Sequence, residues 1–389
     1  MSRPELNLAN RDGLRRILAV RLDNIGDVVM LGPALRALRQ ALPDSEITLM
    51  ASPAGSQAAP LLPWVDKLIT WRAVWQELSS SDGFEPQREF RMINRLSRGK
   101  YDAAFIFTSF SQSPFPPAYA CFLAGIPIRV GHSKEFGGQV LTHSGSPPPD
   151  SGHQVDRNLA LLELAGFPLA GRLLELKLPT RAARSAEGLL TRAGLDPDEP
   201  YIFLAPGASC SARRYDPHRY AQIAKALPEL TGMRVVIAGS QKEASSIAPL
   251  IHAIEDIPPG SIVSLVGQTS VLELAEVIKR STLVITNNSA SLHLADAFNR
   301  PVVVLYSGTE YKTQWEPRFA PARLLKVETD CSPCYSFQCP YSMECLDIHP
   351  EEVLKASLSL LDADPHSTGT HVKVKAKHPA TRDLLKSGY

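Results

Sequence analysis

Short apolar runs alternate with longer polar or amphipathic stretches twice along this chain of 389 residues. Such alternation is typical of βαβ units, in which helices cover both faces of a parallel sheet. Two series in tandem predict an α/β protein with two Rossmann-like parallel-sheet domains that face each other across a cleft. The strand-like runs are 16–21, 46–51, 67–71, 101–108 and 126–131 in the first series, and 201–205, 234–238, 262–266, 282–286 and 301–306 in the second.

The two series set the expected domain boundaries. We expect a loose leader over 1–14, an N-terminal domain over 15–180, a C-terminal domain over 181–361 and a mobile basic tail over 362–389. The join is placed between 178 and 186, where Pro179 follows the last strand-like residues of the first series. The charged piece 72–100 is predicted to be a surface insertion with some helix.

Composition excludes several classes of protein. The chain has 41 Lys and Arg against 40 Asp and Glu, a net charge of +1, so no bulk field favours nucleic acid or an anionic membrane. The first sixteen residues lack the apolar stretch of a secretory signal, and no run reaches the roughly 18 apolar residues of a membrane span. We therefore expect a cytoplasmic enzyme with at most peripheral contact with the inner face of the membrane.

The stretch 16–29 reads as a strand, a tight turn and the start of a helix. Residues 17–20 form an apolar run, and Gly26 can supply the turn because glycine takes positive φ at no steric cost. Pro33 predicts that the regular helix begins near Gly32. Asp27 is therefore expected at the carboxyl end of the first strand, where open α/β sheets bind ligands. On its own it is either a helix-capping carboxylate or a general base that faces the cleft.

Two stretches of the second half carry a phosphate-site pattern. Thr286 to Ala295 runs from a strand end into a helix, whose free N–H groups and positive end suit a diphosphate without any metal. Residues 205–209 form a Pro-Gly-Ala loop after another strand, and Asp216-Pro217 then reads as a helix N-cap.

With these motifs the chain resembles glycosyltransferase family 9, whose best-known members are the heptosyltransferases of lipopolysaccharide synthesis. Those enzymes open with a strand, a turn ending in Gly-Asp and a helix with Pro-Ala-Leu, and this chain has Gly26-Asp27 and Pro33-Ala34-Leu35 in that order. The loop at 205–217 and the stretch 286–295 also match, so the resemblance covers about 15–360. It implies the GT-B fold, with the donor bound by the C-terminal domain.

The resemblance also implies roles for individual residues. Asp27 matches the catalytic base, and Arg213 matches a phosphate ligand that is more often Lys. Glu243 matches the carboxylate that takes the ribose hydroxyls of the nucleotide. The other donor-binding candidates are Ser209, Thr269 near the base, Asn288 at the sugar, Ser289 with the amides of Ala290 and Ser291 at the phosphates, and His293.

Several of these residues also have a structural interpretation. Arg213 is alternatively a surface cation, Glu243 an exposed residue at a helix start, and His293 a packed histidine. Three further residues match a family helix, and we expect them to face solvent rather than take part in catalysis: His153, Asp156 and Arg157.

Two departures from the family pattern leave the donor sugar open. Asn288 stands where the heptosyltransferases generally have Asp, and Ala290 stands where Gly is usual. The sequence therefore does not decide whether the donor carries heptose or a different sugar. The same departures favour an alternative, a catalytically silent GT-B protein that binds a nucleotide or glycan.

Four cysteines lie within fifteen residues, at Cys331, Cys334, Cys339 and Cys345. Four close thiolates are typical of a structural zinc site, and an iron–sulfur cluster would also use four. The paired Cys-x2-Cys knuckles of zinc ribbons are absent, so free thiols or a disulfide remain the alternative.

The sequence thus predicts an inverting, metal-independent glycosyltransferase that requires no cofactor for catalysis. It would move a sugar from a nucleotide-sugar, ADP-heptose being one candidate, to a hydroxyl of a cell-surface glycan or lipopolysaccharide-type acceptor. Asp27 would remove the acceptor proton, while Arg213 and the helix end at 289–291 neutralise the leaving diphosphate.

Overall fold

The computed structural model describes residues 13–76, 85–169, 171–257 and 260–362. Nearly all of the predicted leader, and all of the predicted tail after Asp362, lie outside the described residues. The strands form two six-stranded sheets in which every pair is parallel. This confirms the predicted α/β class with one parallel sheet in each half of the chain.

The N-terminal sheet has the strand order β3-β2-β1-β4-β5-β6. Its strands are β1 (Arg16–Arg21), β2 (Glu46–Ala51), β3 (Lys67–Thr70), β4 (Ala103–Ile106), β5 (Ile128–His132) and β6 (His143–Gly145).

The C-terminal sheet has the order β12-β11-β10-β7-β8-β9. Its strands are β7 (Tyr201–Ala205), β8 (Arg234–Ile237), β9 (Ile262–Ser264), β10 (Leu283–Asn287), β11 (Val302–Leu305) and β12 (Ala322–Leu325).

Twelve α-helices connect or follow the strands in the described part of the chain. They are α1 (Ile25–Val29), α2 (Gly32–Ala41), α3 (Pro86–Gly99), α4 (Phe115–Leu123), α5 (Gln154–Leu164), α6 (Thr180–Arg192), α7 (Pro217–Thr231), α8 (Ala244–Ala253), α9 (Val271–Arg280), α10 (Ala290–Ala297), α11 (Lys312–Trp315) and α12 (Pro350–Asp362). Helix α2 begins at Gly32, as Pro33 predicts. None of these helices has the length and apolar character needed to cross a membrane.

The helices cover both faces of each sheet, which explains the continuous apolar runs of the central strands. In β1 the residues from Ile17 to Arg21 are all buried. Side chains of one β1 face, such as Leu18, pack with α3 and α4, while those of the other face, such as Ile17, pack with α1, α2 and α5. One buried apolar cluster includes residues of both sheets and their helices, so the two halves share a packed boundary.

The edge strands β6 and β12 are absent from the sequence prediction. Both are only half-buried, and neither has the long apolar run of a central strand. The charged piece 72–100 contains α3, in which Leu96 is the only buried residue, as expected for a surface element. The predicted domain boundaries stay a prediction, although α6 begins at Thr180 and packs against α9 of the second half.

Candidate active site

Asp27 lies in the first turn of α1, directly after the carboxyl end of β1. One carboxylate oxygen accepts a hydrogen bond from the backbone N–H of Asn24 (3.1 Å), which is the capping contact that the sequence suggested. The other oxygen accepts from an Arg21 Nη at 2.8 Å. The Asp27 side chain is 13 % exposed, so the carboxylate is fixed at two points and still reaches solvent.

Arg21 is a fully buried cation that holds two carboxylates at this edge of the sheet. Its Nε lies 3.1 Å from Asp23 Oδ2, and its Nη also donates to Ser109 Oγ at 2.9 Å. Burial raises the pKa of Asp23, against the opposing effect of Arg21, and Gln112 donates a hydrogen bond to the same carboxyl. Arg21 therefore sets where the Asp27 carboxylate points.

On the donor side, the end of β10 and the first turn of α10 form one polar segment. Ser289 is the extended N-cap residue of α10, and its Oγ lies 3.0 Å from Thr286 Oγ1. Asn287 connects this polar segment to the loop after β7, because its Nδ2 donates a hydrogen bond to the carbonyl of Pro206 at 2.7 Å. Its Oδ1 accepts from the Tyr215 N–H at 3.2 Å. The structure thus brings the two predicted phosphate-binding stretches together.

The two halves of the site meet where α1 packs against α10. A Cβ added at Gly26 would lie 2.5 Å from His293 Cδ2, so only glycine allows this approach. Burial lowers the pKa of His293 to about 4, against the opposing charges of Asp27 and Asp296. His293 is therefore a neutral imidazole at pH 7, beside Asp27 and at the start of the helix predicted to bind phosphate.

Arg213 forms an ion pair with Glu310, which follows β11. Its Nε also donates to Thr309 Oγ1 at 3.3 Å. Asn288 Nδ2 donates to the second Glu310 oxygen at 3.3 Å. Burial raises the pKa of Glu310, while the Arg213 charge opposes that shift. Arg213 is thus partly buried, in a polar cluster whose other members, Asn288, Thr309 and Glu310, are buried.

Glu243 makes a helix-capping contact with Ser240, and its side chain also lies beside the Pro-Gly-Ala loop. Its Oε2 accepts hydrogen bonds from the Ser240 N–H (2.8 Å) and Oγ (2.7 Å). A Cβ at Gly207 would overlap the Glu243 carboxylate, so this side chain lies against the Pro-Gly-Ala loop. Of the remaining donor-side candidates, Ser209 is exposed, Thr269, Ser289 and Ala290 are half-buried, and Ser291 is buried.

The expectation that His153 and Arg157 face solvent is wrong. His153 is buried, with Nδ1 accepting from the Val155 N–H (3.1 Å) and Nε2 3.0 Å from the Glu316 carbonyl oxygen. Arg157 is also buried, with Nε 3.3 Å from the Thr108 carbonyl oxygen. The periodicity of a helix shows which face is apolar, but not that the C-terminal half covers His153 or that the loop after β4 covers Arg157.

Asp156, the third residue expected to face solvent, is only partly covered. It binds Arg318 of the C-terminal half, with one Nη–Oδ1 distance of 3.0 Å, and also Arg172 at 2.6 Å. The amino end of α5 therefore joins the two halves of the chain.

Sequence reasoning missed five polar residues of the site. Arg21, Asp23, Ser109 and Gln112 surround the Asp27 carboxylate, and Glu310 holds Arg213 and Asn288. Their position in the sequence could have identified them. All five lie at the carboxyl end of a strand or in the loop that follows it, the edge where α/β sheets bind ligands.

The four clustered cysteines line one cavity of about 180 Å³ together with Thr309 and Glu344. All six cysteines are free thiols. No group of three or more His, Cys, Asp or Glu side chains in the described ranges is arranged to hold a metal ion. The candidate zinc or iron–sulfur site therefore has no support in the structure.

Comparison with known proteins agrees with the resemblance in the motifs. The family model described as glycosyltransferase family 9 (heptosyltransferase) matches residues 89–344. Lipopolysaccharide heptosyltransferase 2 of Salmonella typhimurium is 25% identical over 90% of this chain and 99% of that protein. Lipooligosaccharide heptosyltransferase 2 of Haemophilus influenzae is 28% identical over 89% of this chain and 99% of that protein.

Among solved structures, the E. coli ADP-heptose lipopolysaccharide heptosyltransferase II superposes with a TM-score of 0.71. It is 24% identical in sequence and covers 89% of this chain and 98% of that one. The predicted family and fold are thereby confirmed, and nothing in these likenesses supports a catalytically silent protein. With a family model that spans well over half its length and two opposed Rossmann-like sheets, the chain belongs to glycosyltransferase family 9 and is a glycosyltransferase of the GT-B fold.

Proposed function

We propose that this glycosyltransferase is an inverting heptosyltransferase of lipopolysaccharide or lipooligosaccharide core assembly. It takes heptose from ADP-heptose and adds it to a hydroxyl of a glycolipid acceptor. The names of its relatives support the acceptor class, and the name of the superposed E. coli enzyme supports the donor. The observation that carries the proposal is the approach of α1 to α10, which brings Asp27 to the helix predicted to bind the donor phosphates.

On the acceptor side, Asp27 removes the proton from the attacking hydroxyl. Arg21 and the Asn24 N–H each hold one oxygen of the carboxylate, and Ser109 Oγ also lies 3.5 Å from the oxygen that Arg21 holds. The oxygen that Asn24 holds has a further lone pair that can face the cleft. A general base needs this fixed direction because proton transfer requires hydrogen-bond contact with the hydroxyl. The alkoxide that develops then attacks the anomeric carbon opposite the leaving diphosphate, which inverts its configuration.

On the donor side, positive groups of the chain neutralise the leaving ADP without a metal ion. The free N–H groups at Ala290 and Ser291 and the dipole of α10 face the diphosphate. Arg213 adds a full charge and can bind two phosphate oxygens through its planar guanidinium. These groups stabilise negative charge as it forms on the leaving oxygen.

The Asn288–Glu310 hydrogen bond bears on the choice of sugar. The family usually has Asp at the position of Asn288, and here a buried glutamate lies 3.3 Å from the Asn288 amide. We propose that Glu310 supplies the carboxylate that the asparagine lacks, so that the pair together receives the hydroxyls of heptose. The departure at 288 is then compatible with a heptosyl donor.

The experiment that tests this function is Asp27→Asn. The amide keeps the shape but cannot accept a proton as the carboxylate does, so we expect transfer to fall by on the order of 10²-fold or more. Transfer is measured with ADP-heptose and a heptose-deficient acceptor, and the anomeric configuration of the product by NMR. Thermal shift with ADP-heptose should remain, because donor binding stabilises the folded chain independently of the base.

Asp44→Asn is the matched control, since Asp44 is exposed at the surface between α2 and β2. Near-normal transfer by Asp27→Asn would remove Asp27 from the mechanism. Retention of configuration in the product would contradict direct displacement.

A further inference from the structure

Asp23 is a second carboxylate beside Asp27, and the proton transfer described for Asp27 does not use it. It lies in the loop between β1 and α1, and its side chain is only 9 % exposed. A buried carboxylate is costly unless charge and hydrogen bonds compensate for the water it has lost. The contacts that compensate Asp23 therefore show what the residue can do.

Four residues form a closed ring of polar contacts next to the Asp27 carboxylate. Asp23 Oδ2 lies 3.1 Å from Arg21 Nε, and Asp23 Oδ1 accepts a hydrogen bond from Gln112 Nε2. Gln112 Oε1 accepts from the Ser109 N–H at 3.0 Å, and Ser109 Oγ accepts from an Arg21 Nη at 2.9 Å. The same Nη holds Asp27 at 2.8 Å. The ring therefore joins the loops after β1 and β4 and determines how Arg21 meets Asp27.

The loop that carries Asp23 is itself fixed by the segment after β2. Ser52 Oγ donates to the Asp23 carbonyl at 2.5 Å, and the Gly55 N–H donates to Ser52 Oγ at 2.9 Å. A Cβ added at Gly55 would lie 2.6 Å from the same carbonyl oxygen, so this segment packs directly on the Asp23 backbone. Asp23 is thus held at both its backbone and its carboxylate, as expected of a residue that orients a neighbour.

The charges of this cluster leave a surplus of negative charge. Arg21, which is fully buried, supplies one positive charge to the two carboxylates of Asp23 and Asp27. Without the charge of Asp23, Arg21 would form a one-to-one ion pair with Asp27, and a carboxylate held by an undiminished positive charge is a weaker base. With Asp23 ionised, the Arg21 charge is shared, and Asp27 is the more exposed of the two carboxylates.

The C-terminal half faces Asp27 with groups that do not replace this charge. The titratable or charged groups of that half that interact with the Asp27 charge are His293, Arg213 and Glu310. His293 is neutral at pH 7, because burial lowers its pKa to about 4, and Arg213 and Glu310 form an ion pair with each other. Within the described residues, Asp23 is therefore the carboxylate that opposes the charge of the arginine holding Asp27.

We propose that Asp23 is a positioning residue for the transfer reaction. Through the ring it fixes the Arg21 guanidinium, which directs the Asp27 carboxylate, and its negative charge keeps Asp27 a strong acceptor for the proton of the attacking hydroxyl. The inference rests on the proposed function in one respect, which is that Asp27 is the base.

The test is the pH dependence of heptose transfer by Asp23→Asn. We expect kcat to fall roughly tenfold, which is less than the loss expected for Asp27→Asn. The acid limb of the kcat profile should move to lower pH by roughly one unit, because Arg21 then acts on Asp27 alone. KM for ADP-heptose should stay unchanged, since the other half binds the donor. A fall in kcat with an unmoved acid limb, or no change in either, would overturn the inference.

A double variant separates the charge from the local contacts. In Asp23→Asn with Gln112→Glu, the carboxylate and the amide exchange places within the ring. The new carboxylate can accept from the Ser109 N–H and from the new amide, whose oxygen can face Arg21. We therefore expect kcat to return to within about threefold of the natural value, a non-additive result typical of neighbours in one network. A double variant as slow as Asp23→Asn would contradict the proposal.

Glu175→Gln is the matched control. Glu175 also pairs with a buried arginine, but that residue is Arg36 of α2, which is not part of the ring. The control should leave both kcat and the acid limb unchanged, and melting by circular dichroism verifies that each variant folds. If Asp23→Asn does not fold, Asp23→Ser takes its place, because serine removes the charge without placing an amide against Arg21.

A readout that needs no donor keeps this inference separate from the proposed function. Carbon NMR of the chain labelled at its aspartate carboxyl groups follows Asp27, whose signal is identified by its absence from Asp27→Asn. The pH midpoint of that signal should be lower in Asp23→Asn than in the natural chain. Equal midpoints would show that Asp23 does not act on Asp27, even in a chain that transfers heptose. A lower midpoint without transfer from ADP-heptose would contradict the proposed donor and leave the action of Asp23 on Asp27 standing.

Discussion

The Arg213 guanidinium lies between the buried Glu310 carboxylate and the amino end of α10. Arg213 forms an ion pair with Glu310, and its charge also acts on the His293 imidazole. A donor diphosphate would therefore exchange part of this pair for phosphate oxygens. Because Glu310 is buried, it competes with the phosphate for the same planar guanidinium, and the exchange leaves the Glu310 carboxylate with less of its counter-charge.

Arg213→Gln tests this role. Loss of a charge-assisted contact costs about 1.5–3 kcal/mol, so we expect ADP affinity to fall by roughly tenfold to a hundredfold. Calorimetric titration with ADP measures the change. Arg219→Gln is the control, because Arg219 pairs with the exposed Asp347. Equal affinities in the natural chain and Arg213→Gln would exclude Arg213 from the diphosphate site.

A site residue can be predicted from the sequence when residues close to it along the chain fix its position. Asp27 and the 289–293 turn could be predicted because a strand end, a turn and a helix start fix their positions within a few residues. Glu310 could not be predicted to bind Arg213, because that contact depends on how two loops far apart in sequence approach each other. Burial of His153 escaped prediction for the same reason.

Helices α1 and α10 are the elements that bring the two halves of the site together. Their contact depends on Gly26, where the missing side chain leaves room for the His293 ring. The pattern Gly-Asp at a strand end predicted the turn, but not that a histidine of the other half packs on the glycine. The glycine thus serves close approach between helices, and the backbone at this point is ordinary helix.

Gly26→Ala should push α1 and α10 apart, because a Cβ there would lie 2.5 Å from His293 Cδ2. Overpacking of this kind costs about 1–3 kcal/mol, so we expect a lower melting temperature and reduced transfer. Gly32→Ala is the matched control, since its Cβ would meet Leu62 at an ordinary 3.5 Å.

A double variant identifies the cause. In Gly26→Ala with His293→Ala the clash is gone, so its melting temperature should exceed the value expected by adding the two single effects. Simple additivity would show that the alanine acts within α1 and not through the histidine.

At the scale of the whole molecule, the amino end of α5 fastens the two halves to each other. His153 reaches the Glu316 carbonyl, and Asp156 pairs with Arg318. Burial alone would raise the pKa of Asp156, but its hydrogen bonds from Arg318 and Arg172 lower it to about 2. This ion pair therefore persists in mild acid, and the histidines are the groups that make the assembly of the halves sensitive to pH.

Three buried histidines make the stability of the folded chain sensitive to pH. His153 and His293 lie where the two halves meet, and His132 lies in β5 of the N-terminal half. Burial and neighbouring arginines lower the pKa of His132 to about 4 and that of His153 to about 3, and burial lowers that of His293 to about 4. The unfolded chain therefore binds more protons than the folded chain below the ordinary histidine pKa of about 6.5. Their stabilising contribution is complete above pH 6.5 and is lost as pH falls toward 4.

His153→Gln should reduce this loss while keeping the local contacts. The glutamine oxygen can accept the Val155 N–H, and its amide can donate to the Glu316 carbonyl, as the imidazole does. We expect the melting temperature of the variant to fall less steeply than that of the natural chain between pH 6.5 and 4. Asp23 and Glu310, whose pKa values burial raises, oppose this trend equally in both chains and cancel in the comparison.

His218→Gln is the control, because His218 is exposed and its replacement should leave the slope unchanged. Parallel slopes for the natural chain and His153→Gln would show that the junction of the two halves takes up no proton in this range.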